Sequence, residues 1–328
     1  MSKPLGIGTL DDWGLTPDDD NFHPPTEDRW WTETAWFAWF VPERNLVGYF
    51  YPMFRPNIGV QAGGVIVYDD TAELPWELLF FQYDWHNEIP ANLDLRDAQL
   101  TNGMTIKCLE PARKFQLGYE HKDLQLNFSV EAVTRPLVSA AKPPFNKGHI
   151  DQLCHVTGTM VLRGEQIAVD CIAMRDRSWG PRQDGHQPEV GYEYGCLDAD
   201  NAFLAVAVSD KHGGYPVTTG FLIRNGVWSQ LTEGTRSVER DAEGKPEVVH
   251  VHAFDQLGRQ LVARGEVKSR QVFTAYPSMF CWNGLVEWQA DGWTGWGEDQ
   301  DCWHPRRWRE YAARLRSDKI SAAALDRL

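Results

Sequence analysis

An acidic residue lies among arginines and a tryptophan near the middle of the chain, in the run RDRSWGPR that begins at Arg175. Adding water to an isolated alkene requires a strong proton donor. A carboxylic acid can serve if its surroundings keep it protonated near neutral pH. Burial among apolar and aromatic groups raises a carboxyl pKa, and aromatic faces stabilise developing positive charge. Asp176, with Trp179 close to it in sequence and Tyr192 and Tyr194 further on, therefore predicts an acid–base centre.

The same run allows a structural interpretation. Arg175, Arg177 and Arg182 are close to Asp176 in sequence, and a buried Asp–Arg network would show the same pattern. Such arginines would lower the pKa of Asp176, which is unsuitable for an acid catalyst. In the catalytic interpretation, Arg177 and Arg182 hold the domain junction or a substrate oxygen. The residue types leave both interpretations open.

Two further groups of titratable residues are candidates for a pocket. Asp84 and His86 follow an apolar strand and could line a pocket mouth, or belong to a solvated loop. His149 and Asp151 precede a predicted hairpin, and could face the site or serve in turns and caps.

Glu193 lies between two tyrosines on a predicted strand, so it points to the face opposite to theirs. It is either a pocket residue or a surface carboxylate. The predicted catalytic residues are Asp176, Tyr192 and Glu193. The predicted substrate-binding residues are Trp179, Arg177, Arg182, Tyr194, Asp84, His86, His149 and Asp151.

We expect neither a cofactor nor a metal. The sequence contains no P-loop, no GxGxxG after a strand and no GxSxG elbow, which disfavours nucleotide cofactors and serine hydrolase chemistry. The six cysteines form no CxxC pair, and their irregular spacing is typical of reduced thiols.

The elements that must position these residues are mostly strands. Short segments rich in β-branched and aromatic residues alternate with turn signals such as Asn102-Gly103, Asn225-Gly226 and Asn283-Gly284, which type I′ hairpins prefer. Arg163-Gly164 is another tight-turn candidate. Many short strands joined by hairpins predict antiparallel sheets in a barrel or sandwich. One clear helix is predicted from Pro305 to the C-terminus.

Composition narrows the class of partner. The net charge of −14 disfavours a nucleic-acid partner and an anionic membrane surface. No apolar run is long enough to span a membrane, and the N-terminus lacks the pattern of a signal peptide, so we expect a cytoplasmic protein. The 15 tryptophans favour a pocket for a large hydrophobic ligand.

The stretch from His149 to Gly195 resembles the tandem lipocalin-like family of carotenoid 1,2-hydratases, kievitone hydratase and AttH-type proteins. The family hairpin V-x-G-T-x-x-x-x-G matches Val156 to Gly164, its D-R/H-x-W-G motif matches Asp176 to Gly180, and its G-W-D-W strand matches Gly191 to Tyr194. Met174, Arg177 and Glu193 stand where the hydratases have tyrosine, histidine and aspartate, so the chain resembles a separate branch.

The resemblance implies an all-β fold of two lipocalin-like antiparallel barrels or sandwiches, side by side, followed by a C-terminal helix. It places the domains at 1–180 and 181–304, with the helix at 305–328, and it implies that Asp176 is the acid. The predicted function is a cofactor-independent hydratase, dehydratase, isomerase or cyclase acting on a hydrophobic terpenoid-, steroid- or polyketide-like substrate near the domain junction. The alternative is a non-catalytic carrier of a hydrophobic small molecule. A homodimer is compatible with the sequence.

Overall fold

The computed structural model describes residues 7–141, 147–182, 189–210, 212–276 and 278–325. The chain divides into two compact units. The first comprises Met1–Ala72 and Trp76–Arg182, and the second comprises Glu73–Pro75 and Gln183–Leu328. Antiparallel strands make up most of the regular structure in both units, which confirms the all-β prediction.

The first unit is built on one antiparallel sheet of eleven strands within the described residues. A short helix, α1 (Leu10–Trp13), precedes it. The strands are β1 (Trp31–Val41), β2 (Leu46–Arg55), β3 (Val60–Tyr68), β4 (Phe80–Glu88), β5 (Asp97–Gln99), β6 (Met104–Glu110), β7 (Lys114–His121), β8 (Leu124–Ala132), β9 (Leu137–Ala141), β10 (Lys147–Leu162) and β11 (Glu165–Pro181). They pair in the order β4-β3-β2-β1-β11-β10-β8-β7-β6-β5, and β9 pairs with β10.

Aromatic side chains on one face of this sheet meet across its curve. Phe37 of β1 lies with its ring centroid 5.7 Å from that of Phe115 on β7, and Trp39 lies 5.1 Å from Phe128 on β8. Three strands lie between the first pair along the sheet and two lie between the second, so the sheet must curl strongly for these rings to touch. The result is a half-barrel with an aromatic core.

The second unit is a closed eight-stranded antiparallel barrel followed by a helix. Its strands are β12 (Val190–Asp198), β13 (Asn201–Val208), β14 (Val217–Arg224), β15 (Val227–Arg240), β16 (Pro246–Asp255), β17 (Gln260–Tyr276), β18 (Met279–Ala290) and β19 (Trp293–Trp303). Pairing of β12 with β19 closes the ring. The helix α2 (Pro305–Leu325) places Trp308 against Phe280, Trp282 and Trp303 of the barrel, which confirms the predicted C-terminal helix.

Turn chemistry explains why neighbouring strands form hairpins. Arg163-Gly164 joins β10 to β11 and Asn225-Gly226 joins β14 to β15, each with positive φ at both residues, as type I′ turns require. The predicted turn at Asn283-Gly284 is wrong, because this pair lies inside β18. There the glycine permits close approach: a Cβ at Gly284 would lie 3.0–3.1 Å from atoms of β17.

Asp291-Gly292, with φ values of 50° and 87°, makes the hairpin between β18 and β19 that the sequence analysis missed. Across the described residues, neither α-helix combines the length and apolar character needed to cross a lipid bilayer.

Candidate acid–base site

Three titratable side chains converge on one face of the first unit's sheet. Asp151 of β10 lies directly opposite Asp176 of β11 in the strand register. His149 lies two residues before Asp151, so it shares the same face. Its Nε2 lies 3.0 Å from Oδ1 of Asp151 and 3.1 Å from Oδ2 of Asp176. The pairing of two long strands therefore places one imidazole nitrogen between two carboxylates.

The electrostatics of this cluster favour a protonated histidine. Burial would lower the pKa of His149, but Asp151 and Asp176 reverse this and raise the pKa well above 6.5. Burial would raise the pKa of Asp176, but His149, Arg182 and Arg177 outweigh it and hold the pKa below 3.8. At neutral pH the proton therefore lies on His149, and Asp176 is ionised.

The cluster is only partly exposed, and Nε2 of His149 is itself buried. The side chain of His149 is 35% exposed and that of Asp176 is 23% exposed, whereas Asp151 is buried. Oδ1 of Asp176 is buried and has no hydrogen-bond partner among the described residues. This oxygen is a free acceptor next to the shared imidazole.

Aromatic side chains adjoin the cluster on the same face. Trp36 of β1 lies opposite Asp176 in the strand register. Its ring centroid lies 4.3 Å from that of Tyr49 and 5.0 Å from that of Tyr51, both on β2. Tyr49 donates a hydrogen bond of 2.8 Å to the hydroxyl of Tyr68 on β3. The polar cluster thus borders a buried aromatic row that the sequence analysis did not single out.

Arg182 reaches the same region through a serine. Its guanidinium donates to Oγ of Ser178, and that hydroxyl also lies 2.5 Å from Oγ1 of Thr34. Ser178 is the register partner of His149. Arg182 therefore supplies positive charge near Asp176, as the structural interpretation of the sequence had proposed.

His149, Asp151 and Asp176 could also share a cation. One ligand atom from each lies within 4.8 Å of the other two. Imidazole and carboxylate groups bind several divalent metals, so a proton and a metal ion would compete for this position.

Arg177 and Trp179 lie on the opposite face of β11, since side chains alternate along a strand. Arg177 is buried and pairs with Glu33, and it donates to the carbonyls of Thr34 and Asn21 at 2.8 Å. Trp179 stacks on His23 with centroids 3.7 Å apart. Closeness in sequence therefore does not place the Trp179 ring beside Asp176, and Arg177 belongs to a buried ion-pair network.

Asp84 and His86 lie inside β4, at the edge of the sheet, and not in a loop after it. Three strands lie between β4 and β11, so the two are four inter-strand steps apart. At ~4.8 Å per step, this corresponds to about 19 Å along the sheet. The structure does not bring these two residues to Asp176.

Tyr192, Glu193 and Tyr194 belong to β12 of the second unit. The predicted alternation is confirmed: Glu193 pairs with the buried Arg236, whereas Tyr194 donates to Oε2 of Glu298 at 2.7 Å. Burial raises the pKa of Glu193 well above 4.5, Arg236 opposes this, and Asp299 adds to it. Glu193 is therefore part of a buried charge network in this unit.

Glu298 was not among the site residues predicted from the sequence. Burial raises its pKa to about 8, despite the opposing hydrogen bond from Tyr194. The two residues are 104 positions apart, and only closure of the barrel makes them partners. The available signal was the alternation of Trp296, Glu298 and Gln300 along the sequence.

Comparisons with known proteins agree with this architecture. The model of the family described as "Domain of unknown function (DUF7064)" matches residues 16–305. No curated protein matches the sequence.

Three solved structures share the fold. An AttH-type protein from Nitrosomonas europaea aligns with a TM-score of 0.54 and 17% identity over 92% of this chain and 98% of its own. Kievitone hydratase from Nectria haematococca aligns with a TM-score of 0.51 and 11% identity over 84% and 88%. CghA aligns with a TM-score of 0.52 and 9% identity over 82% and 87%. The resemblance to the AttH and kievitone hydratase group is thereby confirmed for the fold.

Proposed function

The chain belongs to the DUF7064 family, and we propose that it is a cofactor-independent acid–base enzyme of the hydratase or dehydratase class acting on a hydrophobic small molecule. The contact of His149 Nε2 with both Asp151 and Asp176 carries this proposal. The buried aromatic row beside it makes the surroundings of the cluster apolar. Kievitone hydratase, which shares the fold, is by its name a hydratase.

In the direction of dehydration, the imidazolium of His149 donates its proton to the hydroxyl oxygen of the substrate as the C–O bond breaks, and water leaves. Oδ1 of Asp176 accepts the proton lost from the neighbouring carbon, and the C=C bond forms. Nε2 is the donor nitrogen, and it lies 3.1 Å from Oδ2 of the same carboxyl, so a turn of the carboxyl group about its Cβ–Cγ bond returns the proton to Nε2. Hydration is the reverse sequence.

Each group has a separate role in this scheme. His149 is the acid and Asp176 is the base, which differs from the assignment of Asp176 as the acid. Asp151 is buried and remains a positioning residue that keeps the imidazole protonated and oriented. The donor and acceptor both belong to the protein, so proton transfer needs no cofactor.

The test is a solvent-isotope assay. Purified protein is incubated with a panel of hydrophobic alkenes and tertiary alcohols in ¹⁸O-labelled water, alongside His149→Gln and Asp176→Asn. We expect label exchange with wild type and a loss of 10²-fold or more in either variant, which is the usual contribution of a general acid or base. Added chelator should leave the rate unchanged.

His155→Gln is the matched control. His155 and Asp170 form an exposed pair at 2.6 Å on the same two strands, so this substitution removes a similar contact away from the site. Full label incorporation by His149→Gln or Asp176→Asn would remove the cluster from the mechanism. Binding of a panel member without label would instead identify a carrier, and loss of activity with chelator would assign the cluster to a metal.

A further inference from the structure

Four adjacent strands of the second unit each place a polar side chain on one shared face. Tyr194 of β12 lies opposite Glu298 of β19, and Gln271 of β17 lies opposite Asn283 of β18. All four side chains are fully buried. This row faces away from the barrel interior, because its neighbours in the alternation, such as Glu193, point inward.

The row carries no positive side chain, and its one acid is held in the neutral form. Tyr194 donates to Oε2 of Glu298 at 2.7 Å, and Nδ2 of Asn283 lies 3.5 Å from Oε1. Burial raises the pKa of Glu298 to about 8, so the carboxyl is protonated at neutral pH. An anionic ligand would find no charge partner in this row.

Within this row, Gln271 is the residue whose side chain lacks hydrogen-bond partners. Both polar atoms of its carboxamide are buried, and neither has a hydrogen-bond partner among the described residues. Oγ of Ser269, two residues earlier on the same face of β17, is likewise buried without one. Buried polar groups are nearly always paired, because leaving them unpaired costs free energy.

We propose that Gln271 and Ser269 form a ligand site for a neutral group that carries a hydrogen-bond donor next to an acceptor, such as the carboxamide or lactam of a hydrophobic small molecule. A carboxamide side chain offers an acceptor oxygen beside a donor nitrogen, and such a ligand group satisfies both at once. The Tyr194–Glu298 pair on the same face offers an anionic ligand no positive charge.

The test uses 2-naphthamide as the probe, with 2-methylnaphthalene and 2-naphthoate for comparison, and measures affinity by fluorescence titration of the full chain. We expect wild type to bind the amide at least about tenfold more tightly than the hydrocarbon, since each of the two hydrogen bonds contributes about a factor of three to ten. Binding of the naphthoate anion should be weaker than that of the amide.

Gln271→Leu should abolish the preference for the amide while leaving the thermal midpoint at or above that of wild type, because it removes two unpaired polar atoms. Gln289→Leu, at an exposed glutamine on β18, should keep the preference. The proposal is overturned if wild type binds the amide without saturation or no better than the hydrocarbon. It is also overturned if Gln271→Leu keeps the preference or lowers the midpoint, since the latter would show that Gln271 is paired within the protein.

Discussion

The buried carboxyl of Glu298 should make the stability of the protein fall as pH rises. Its pKa is about 8 in the folded chain, against an ordinary value of 4.5. The folded state therefore holds this proton more tightly than the unfolded state does. The stabilising contribution of the neutral carboxyl is fully present below about pH 4.5, and it is lost as pH rises through about 8.

The size of this loss follows from the interval between the two pKa values. Each pH unit between them removes about 1.4 kcal/mol from the free energy of unfolding, so the full interval corresponds to about 5 kcal/mol. Glu298→Gln keeps an acceptor for the hydroxyl of Tyr194 and cannot ionise. The variant should therefore become more stable relative to wild type by about 1.4 kcal/mol per unit between pH 6 and 8, and the difference should level off above pH 8.

Urea unfolding of both proteins at pH 6, 7, 8 and 9, followed by tryptophan fluorescence, measures this difference. Glu266→Gln is the matched control, since Glu266 is a partly exposed residue whose hydrogen bond from Arg264 lowers its pKa below 4.5, with Lys268 contributing further. Its effect should not change between pH 6 and 9. A stability difference for Glu298→Gln that is equally flat would refute the reasoning, because it would mean that Glu298 is already ionised at pH 6.

Two further predictions concern the first unit. Asp176→Asn should move the titration of the His149 imidazole, followed by NMR, to lower pH, because one of the two carboxylates that raise its pKa is removed; an unchanged titration would show that the contact is not made in solution. Arg177→Met should lower the free energy of unfolding in urea by about 3–5 kcal/mol, because it leaves the carboxylate of Glu33 buried without its guanidinium partner. Adding Glu33→Gln should recover much of that loss, and a double variant no more stable than Arg177→Met would contradict this explanation.

Local features of the fold could be predicted from the sequence. The turns at Arg163-Gly164 and Asn225-Gly226 require positive φ, which few residue types adopt readily, so their positions are encoded within a few residues. The hairpin of β10 and β11 then follows, and with it the approach of Asp151 to Asp176. The same dipeptide signal failed at Asn283-Gly284. This pair lies inside the buried strand β18, where the glycine lets β17 approach closely.

Side-chain direction limited what the sequence could say about the site. Trp179 is near Asp176 in the chain but lies on the other face of the strand, stacked on His23. Trp36 lies 140 positions before Asp176 in sequence and yet is its register partner. The residues that border the acid–base cluster are set by strand pairing across the sheet. A local sequence pattern does not indicate which strands pair.

The sequence proposed the segment around His149 and Asp176 as a candidate site, and by itself it determined the strand-rich class, the tight hairpin turns and the terminal helix. These are properties of propensity, alternation and turn geometry, which act over short stretches of chain. Only the tertiary structure decided that the second unit closes into a barrel, that Glu298 meets Tyr194, and that the proton of the first cluster lies on His149. These depend on long-range pairing and on burial, because a pKa is set by the charges and solvent around a group and not by its neighbours in sequence.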